Sequence, residues 1–313
     1  MKKFFEEHGG VAIILIVIAV LLLIVGSVKG LNEGTGKVNG SGVAAVVGNA
    51  YSNAINKFKD SFDNVLSGTG DGDKSNPTSG PNGEPLVSTT ESQVGKYADI
   101  DGDGTVDGII FADLMIGGSG QLGNNDGKYT IPTISSCKDY YVSQESYADK
   151  LGGTADVLAP TGSGNDRFYI MALNDVSSNE YAWYASAHIP DWNYVTSYDF
   201  GKGKSNTLTM LDCWNAERYG PKSIGSGPYT DIWSEMQTQA NKGWFVPSSK
   251  EWVAFNKQLG ITDSNYTSKG LSGAYWSSSL YSYNQAVLFY PSSSGSSCLG
   301  FRTKVPTRLA AAF

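Results

Sequence analysis

The feature that most constrains this chain is an uncharged stretch of 20 residues, Gly9 to Val28. About 20 apolar residues cross a bilayer as a helix, because each residue adds about 1.5 Å along the helix axis. A cleaved signal peptide is the alternative, but its apolar region has only about 7–15 residues. We therefore predict an uncleaved transmembrane helix over residues 9–28, preceded by a short flank of residues 1–8.

The lysines on either side of this stretch do not decide its orientation. Lys2 and Lys3 precede it, and Lys29 and Lys37 follow it, so the positive-inside signal is nearly balanced. The large C-terminal part of the chain is acidic and rich in Tyr, Ser and Gly. On that composition we expect a membrane-anchored protein whose C-terminal domain is extracytoplasmic.

Two segments connect the apolar stretch to the rest of the chain. Residues 43–66 predict an amphipathic helix, because apolar residues recur there at steps of three and four. These apolar residues are Val47, Tyr51, Ile55, Phe58, Phe62 and Val65. Such a helix allows self-association into a homo-oligomeric stalk, docking on the domain, or lying on the membrane. Residues 67–91 are rich in Gly, Ser, Asn, Asp and Pro and predict a flexible linker.

Residues 92–313 predict a mixed α+β domain with much irregular loop. Short strand-like runs are separated there by Gly, Asn, Asp and Ser. Examples are Gly108–Phe111, Phe168–Ala172, Tyr181–Ala185 and Ala286–Tyr290. Two stretches favour helix, Cys137–Leu151 and Ser249–Leu259. The second begins with a capping box made of Ser248 and Glu251.

Net charge and cysteine spacing exclude several classes of protein. With a net charge of −7 and a pI of about 4.9, the chain offers no basic surface for a nucleic acid. Cys137, Cys213 and Cys298 are an odd and widely spaced set, which fits neither a disulfide framework nor a metal site. One disulfide in an exported domain and three separate thiols both remain open.

An acidic loop has the spacing of a calcium site. Asp99-Ile-Asp-Gly-Asp-Gly-Thr-Val-Asp107 places carboxylates at loop positions 1, 3, 5 and 9. Position 12 is Ile110, so the bidentate glutamate of an EF-hand is absent, and a strand-like run follows instead of a helix. The predicted ligands of a structural calcium ion are Asp99, Asp101, Asp103, Asp107 and the backbone carbonyl of Thr105. A solvated Asp-Gly turn is the alternative.

The last 50 residues carry no acid–base chemistry, since no Asp, Glu or His occurs between Ser264 and Phe313. Cys298 is the one ordinary nucleophile there, and it has no base nearby in the sequence. The segment is rich instead in Tyr, Ser and Asn, whose side chains combine rigid contact area with adaptable hydrogen bonds. This composition is typical of a ligand-contacting surface and predicts that the protein is not an enzyme.

Three motifs carry a resemblance to a known family. They are Gly243-Trp-Phe-Val-Pro-Ser248, Tyr275-Trp-Ser-Ser-Ser279 and the terminal Arg308-Leu-Ala-Ala-Ala-Phe313. In combination they resemble the variable proteins of diversity-generating retroelements, which have a C-type lectin fold related to the formylglycine-generating enzymes. The resemblance spans roughly residues 92–313 and is densest after Gly243.

The resemblance implies a variable region at about residues 276–304, rewritten by a reverse transcriptase with errors at adenines. Exposed ligand contacts are expected at Leu280, Tyr281, Tyr283, Asn284, Leu288, Tyr290, Ser292, Ser293, Ser294, Ser296 and Phe301. Trp276, Ala286 and Arg308 are expected to be scaffold. Val305-Pro306-Thr307 departs from the usual family ending before Arg308, so the register of these positions is uncertain by one or two residues.

The sequence thus predicts a membrane-anchored display protein that binds a protein or cell-surface ligand through a lectin-like domain. Two other classes stay open. One is an enzyme related to the formylglycine-generating family, which would need two reactive cysteines, such as Cys213 and Cys298, in one cleft. The other is a structural surface or virion protein whose C-terminal segment is an inert covering.

Overall fold

The computed structural model describes residues 78–121, 128–144, 146–162, 164–185, 188–221 and 231–313. The predicted transmembrane helix at 9–28, the amphipathic helix at 43–66 and linker residues 67–77 lie outside these ranges. Within the described ranges, no helix is both long and apolar enough to cross a membrane.

The described residues confirm a mixed α+β architecture. The strands are β1 Lys96–Ala98, β2 Gly108–Asp113, β3 Gly118–Gln121, β4 Lys128–Ile131, β5 Tyr140–Ser143, β6 Thr154–Pro160, β7 Phe168–Ala172, β8 Tyr181–Ala182, β9 Trp244–Phe245, β10 Tyr275–Ser282, β11 Gln285–Tyr290, β12 Gly295–Gly300, β13 Lys304–Val305 and β14 Ala310–Ala312. The helices are α1 Trp192–Val195, α2 Gly203–Asn215, α3 Ile232–Gln239 and α4 Ser249–Gln258, with a 3-10 turn at Ala240–Lys242.

A seven-stranded sheet in the order β5-β6-β1-β2-β7-β14-β9 forms the centre of the domain. The last strand, β14, lies between β7 and β9, where Ala310 pairs with both Met171 and Phe245. Its alanines are small enough to pack closely there, and the Phe313 carbonyl accepts hydrogen bonds from the backbone N–H groups of Arg167 and Phe168. The end of the described chain is therefore part of the core.

Helix α4 begins where the sequence predicts it. The Ser248 side chain accepts from the Glu251 N–H, and the Glu251 carboxylate accepts from the Ser248 N–H, which completes the capping box. Trp252, on the buried face of this helix, stacks on Tyr275 at 4.8 Å and on Phe289 at 5.5 Å between ring centroids. The helix thereby joins the central core to the sheet formed by β10, β11 and β12.

Two predicted elements differ from the structure. The helix predicted for Cys137–Leu151 is wrong, because Tyr140–Ser143 forms β5 and pairs with β6. Burial of Tyr140 against Phe168 and Phe313 explains the extended backbone, which presents its ring to these aromatic partners. The run predicted at Tyr181–Ala185 is extended only over β8, where it pairs with β13.

The linker predicted for 67–91 is too long at its C-terminal end. Val87 is buried, and its N–H donates to the Tyr140 carbonyl at 2.8 Å. The Arg167 guanidinium, which forms a buried ion pair with Asp113, also donates to the Ser88 carbonyl at 2.8 Å. These long-range partners fix residues 85–91 on the domain, and no local composition signal could reveal them.

Candidate ligand-binding site

The segment predicted to be variable forms a three-stranded antiparallel sheet, β10-β11-β12. β11 and β12 pair without interruption from Gln285 and Gly300 to Tyr290 and Gly295. β10 is less regular, with register shifts on both sides of Leu280. We call this unit the terminal sheet.

Four residues expected to contact a ligand are instead buried, namely Leu280, Leu288, Ser294 and Phe301. The three apolar members lie in one core cluster with Trp183 and Trp276, and Phe301 stacks on Trp183 at 5.2 Å. Their exposure was wrongly predicted, because the expected positions followed the family resemblance, whereas in the fold all three side chains fill this core cluster. Ser294 is buried because its Oγ accepts a hydrogen bond from Asn256 of α4.

The other expected contact residues reach the surface to different extents. Tyr281 and Tyr283 are each 50% exposed, and Ser293 is also exposed. Asn284, Tyr290, Ser292 and Ser296 are partly exposed. Tyr283 is held in place by a hydrogen bond from the Ile189 N–H to its carbonyl and by stacking of its ring on His188 at 5.4 Å.

The three expected scaffold residues are buried. Trp276 donates from Nε1 to the Tyr181 carbonyl at 2.8 Å, which ties β10 to β8. Arg308 donates from Nε to Asp175 Oδ1 at 2.7 Å, and a second guanidinium nitrogen donates to the Gly270 carbonyl. Ala286 packs in the same core cluster as Trp276. The exposed residues of the terminal sheet are therefore supported by a buried and hydrogen-bonded core.

A groove of about 1030 Å³ lies between the terminal sheet and residues 192–199. Its lining residues are Trp192, Asn193, Thr196, Ser197, Tyr198, Asp199, Lys250, Leu280, Tyr281, Val287, Ser296, Ser297 and Cys298. Hydroxyl, amide and aromatic side chains dominate this lining. Such a surface suits a ligand bound by shape and hydrogen bonds.

Residues 192–199 were not identified from the sequence as one wall of the groove. This wall is fastened along β10, because Thr196 Oγ1 accepts from the Leu280 N–H at 2.8 Å and the Ser197 carbonyl accepts from Ser279 Oγ at 3.0 Å. Tyr194, in α1, is 91% exposed. The run Trp192-Asn-Tyr194 has the same mixture of aromatic and amide residues as the tail, and this composition was the available signal.

A charged pair lies on the same wall. Lys250 Nζ donates to Asp199 Oδ1 at 2.7 Å, and this hydrogen bond is the main cause that lowers the pKa of the Asp199 carboxyl. The side chain of Asp199 is largely exposed, so the pair contributes little to stability. It instead provides the groove with one anchored positive and one anchored negative group.

The buried side chain of Glu251 fixes the segment that follows the groove wall. Its carboxylate accepts from the N–H groups of Gly201 and Gly203 at 2.9 and 3.2 Å, in addition to its bond with Ser248. Burial raises the pKa of this carboxyl to about 7, although these hydrogen bonds oppose the shift. A single buried side chain therefore fastens the segment after Asp199 to the start of α4.

The acidic loop connects β1 to β2, so a strand follows it as predicted. One carboxylate oxygen each from Asp99, Asp101 and Asp107 lie within 4.8 Å of one another. Burial, and after it the neighbouring carboxylates, raise the pKa of Asp107 to about 6. Asp103 lies outside this convergent group, and its Oδ1 accepts instead from the Thr105 N–H. The Thr105 carbonyl stays a predicted ligand.

All three cysteines are free thiols in the structure. Cys298 lines the groove, whereas Cys213 is buried in α2 and its Sγ contacts Tyr219 Oη at 3.8 Å. Burial raises the pKa of the Cys137 thiol. The disulfide that the sequence left open is therefore not formed.

No family model matches this chain, and no curated protein matches it. Among solved structures it is similar to a fimbrial protein from Bacteroides ovatus ATCC 8483, with a TM-score of 0.35 and 16% identity. The match covers 71% of this chain and 49% of the fimbrial protein, so it spans about half the length of that neighbour. A similarity of this size assigns neither a fold family nor a function.

Proposed function

We propose that this chain is a membrane-anchored display protein that binds a ligand in the groove between its terminal sheet and residues 192–199. The exposed aromatic residues carry this proposal. Among the described residues, five large hydrophobic side chains are exposed, and three of them are Tyr194, Tyr281 and Tyr283. Tyr194 belongs to α1, Tyr281 to the end of β10 and Tyr283 to the turn that follows β10. Helix α1 packs against β10, and Tyr281 itself lines the groove.

The proposed mechanism is surface complementarity. Tyrosine rings supply rigid contact area at low entropic cost, and the hydroxyl and amide groups around them supply hydrogen bonds. A single site of this kind fits micromolar affinity, about −8 kcal/mol. The amphipathic helix predicted from the sequence at 43–66 would raise the apparent affinity by clustering several copies on one membrane.

The proposal includes a C-type lectin-like fold and diversification of residues 276–304 by a retroelement. The location of Tyr281, Tyr283 and Ser293 supports it, because side chains at these exposed positions can change without altering the core. The test is at the level of the gene. We expect a nearby near-copy of the codons for 276–308, differing at adenines, beside a reverse transcriptase gene. Its absence would remove the retroelement from the proposal.

A structural calcium ion in the acidic loop is part of the same proposal. Asp99, Asp101 and Asp107 would supply three of the six to eight oxygen ligands that calcium takes. Bound there, the ion would neutralise the mutual repulsion of these carboxylates and tighten the connection between β1 and β2. It would have no part in ligand binding, since none of these residues lines the groove.

Ligand binding is tested with the full-length chain in lipid nanodiscs. Fluorescently labelled protein is incubated with a panel of intact bacterial cells, and bound label is read by flow cytometry. The triple variant Tyr281→Ala, Tyr283→Ala and Tyr290→Ala should lose at least about tenfold in apparent affinity, equivalent to 1.4 kcal/mol.

A matched control removes exposed hydrophobic side chains that belong neither to the terminal sheet nor to residues 192–199. The double variant Ile116→Ala and Leu208→Ala should bind as the wild type does, since surface changes of this kind cost little. Equal binding by the triple tyrosine variant, with an unchanged unfolding temperature, would overturn the proposal. Absence of wild-type binding to every cell type would count against it equally.

A further inference from the structure

The three serines of the Tyr275-Trp-Ser-Ser-Ser279 motif are completely buried. Ser277, Ser278 and Ser279 are each 0% exposed, although serine is mostly found at protein surfaces. A buried hydroxyl group destabilises the fold unless it forms hydrogen bonds. The three serines lie in the part of β10 where its pairing with β11 shifts register, between Trp276 and Leu280. Their hydroxyl groups must therefore find partners inside the domain.

Two of these serines join β10 to α2, to α4 and to the groove wall. Ser278 Oγ accepts a hydrogen bond from Asn206 Nδ2 of α2 at 3.0 Å. Ser279 Oγ accepts from the Ser249 N–H of α4 at 3.1 Å and donates to the Ser197 carbonyl of the wall at 3.0 Å. Three separate segments thus meet the terminal sheet at two neighbouring residues.

Asn206 holds one residue of this wall by both of its backbone groups. Its Nδ2 donates to the Ser197 carbonyl at 2.7 Å, and its Oδ1 accepts from the Ser197 N–H at 2.9 Å. A neighbouring β-strand would give Ser197 the same two kinds of bond. The side chain of Asn206 is buried. It carries a donor and an acceptor on one short planar group, which neither an ionised carboxylate nor an aliphatic side chain can offer.

The residue held in this way is part of the groove lining. Ser197 lines the groove together with Asp199, and the Ser197 hydroxyl donates to Asp199 Oδ2 at 3.2 Å. Asp199 in turn is the negative member of the pair with Lys250. The bonds from Asn206 and Ser279 therefore fix both the distance of the wall from the terminal sheet and the position of the negative group in the groove.

We propose that Asn206 is a positioning residue of the groove. Together with Ser278 and Ser279 it holds Ser197 at a fixed distance from β10, and this gives the groove its width before a ligand binds. The inference rests on the proposed function and names what keeps that site in its binding geometry. Asn206 is not a groove-lining residue, so it acts through Ser197. A wall that is already in place does not have to be ordered when the ligand binds, and affinity is higher for that reason.

The next residue of α2 provides a matched control. Thr207 is also buried, and its Oγ1 accepts from the Val246 N–H at 3.0 Å. Thr207→Val removes this acceptor with little change in size, and its partner follows β9 and does not belong to the groove wall. Asn206→Leu removes both bonds to Ser197, also with little change in size. Both variants lose buried side-chain hydrogen bonds at adjacent positions of one helix, but only Asn206→Leu releases the wall.

The test measures the mobility of the wall and the binding of a ligand on the full-length chain in lipid nanodiscs. Amide hydrogen exchange, followed by mass spectrometry, compares a peptide that contains Ser197 with a peptide from α4. Binding is read by flow cytometry on the bacterial strain that the wild type binds most strongly. Ser279→Ala removes one of the bonds to the Ser197 carbonyl, and it is the milder second variant if Asn206→Leu does not fold.

In Asn206→Leu we expect exchange near Ser197 to be at least about tenfold faster and binding to be at least about tenfold weaker, while exchange in α4 matches that of Thr207→Val. Ser279→Ala should show both effects at about threefold. Thr207→Val should stay within about twofold of the wild type in binding and in exchange near Ser197.

Equal exchange near Ser197 in Asn206→Leu and Thr207→Val overturns the inference, and so does faster exchange with unchanged binding. Binding that is lost in the triple tyrosine variant but kept in Asn206→Leu overturns the inference and leaves the proposed function standing. A triple tyrosine variant that binds as the wild type does overturns the proposed function, and this inference with it.

Discussion

Asn256 of α4 donates from Nδ2 to Ser294 Oγ at 2.9 Å and to the Pro291 carbonyl at 2.6 Å. One buried helix residue thus fixes the turn between β11 and β12. Ser294 has a φ of 52°, in the left-handed region that residues other than glycine seldom adopt. The position of β12, and of the groove residues on it, depends on this contact.

Replacing Asn256 with alanine should lower the free energy of unfolding by about 1–3 kcal/mol, because the Pro291 carbonyl loses its buried donor. Urea unfolding at fixed pH measures the change. Ser292→Ala is the matched control, since Ser292 is a partly exposed residue of the same turn, and it should leave the midpoint within about 0.5 kcal/mol. Equal midpoints for Asn256→Ala and wild type would contradict the role assigned to Asn256.

Truncation of Leu288 should lower stability much more than truncation of Tyr281, although both lie in the segment expected to vary. Leu288→Ala should cost about 2–5 kcal/mol, because it leaves a cavity beside Trp276 in the core. Tyr281→Ala should cost less than about 1 kcal/mol, because half of that side chain is exposed. Chemical denaturation of both variants gives the comparison, and similar costs would contradict the burial of Leu288.

Stability should depend on pH through Glu251. Its pKa is raised to about 7 in the folded state from an ordinary value of 4.5. A raised carboxyl pKa contributes stability that is fully present below about pH 4.5 and is lost as pH rises through about 7. The free energy of unfolding should thus fall between pH 5.5 and pH 8, by an amount on the order of 1–3 kcal/mol.

Glu251→Gln separates this effect from other titrating groups. Glutamine cannot ionise, so the variant keeps a neutral group beside the N–H groups of Ser248, Gly201 and Gly203 at every pH. The decisive quantity is the slope of stability against pH, which should be smaller in the variant. Parallel slopes for the two proteins in urea titrations would contradict the shifted pKa.

Calcium should raise the unfolding temperature of the full-length chain. At a concentration 100 times its dissociation constant, a ligand that binds only the folded state adds about 2.7 kcal/mol. Asp99→Asn should abolish the shift, whereas Asp103→Asn should retain most of it, because Asp103 lies outside the convergent group. Differential scanning calorimetry with calcium and then with a chelator measures this. If calcium leaves the unfolding temperature of the wild type unchanged, the loop is a solvated turn and not a calcium site.

Local signals predicted the elements that depend on neighbouring residues. The capping box of Ser248 and Glu251 gave the start of α4, and the run Phe168–Ala172 matches β7 at both ends. The β-forming run of Ala286–Tyr290 gave β11 to within one residue. In each case the residues that decide the structure lie within a few positions of one another, so a short window contains the information.

Predictions that depended on distant partners were less accurate. Leu280 and Leu288 were expected at the surface because the family resemblance implies exposed contacts there, but Trp183, far away in sequence, lies in the core cluster that covers them. The groove wall formed by residues 192–199 was missed for the same reason. It joins the terminal sheet through hydrogen bonds such as that between Thr196 and Leu280, which span more than 80 residues. Sequence patterns show which residues prefer burial, and only the fold shows which surfaces meet.

The position of β14 between β7 and β9 determines which altered versions of this protein can fold. Every residue of the terminal sheet is made before Ala310, and the central sheet is complete only when Ala310–Ala312 is in place. A stop codon or frameshift anywhere in 276–304 therefore leaves β7 and β9 without the strand between them. Copies with altered side chains at exposed positions still contain β14 and can complete the central sheet. Truncated copies expose unpaired strands and become substrates for proteolysis. Folding itself would thus act as quality control on residues 276–304 if a retroelement rewrites them as proposed.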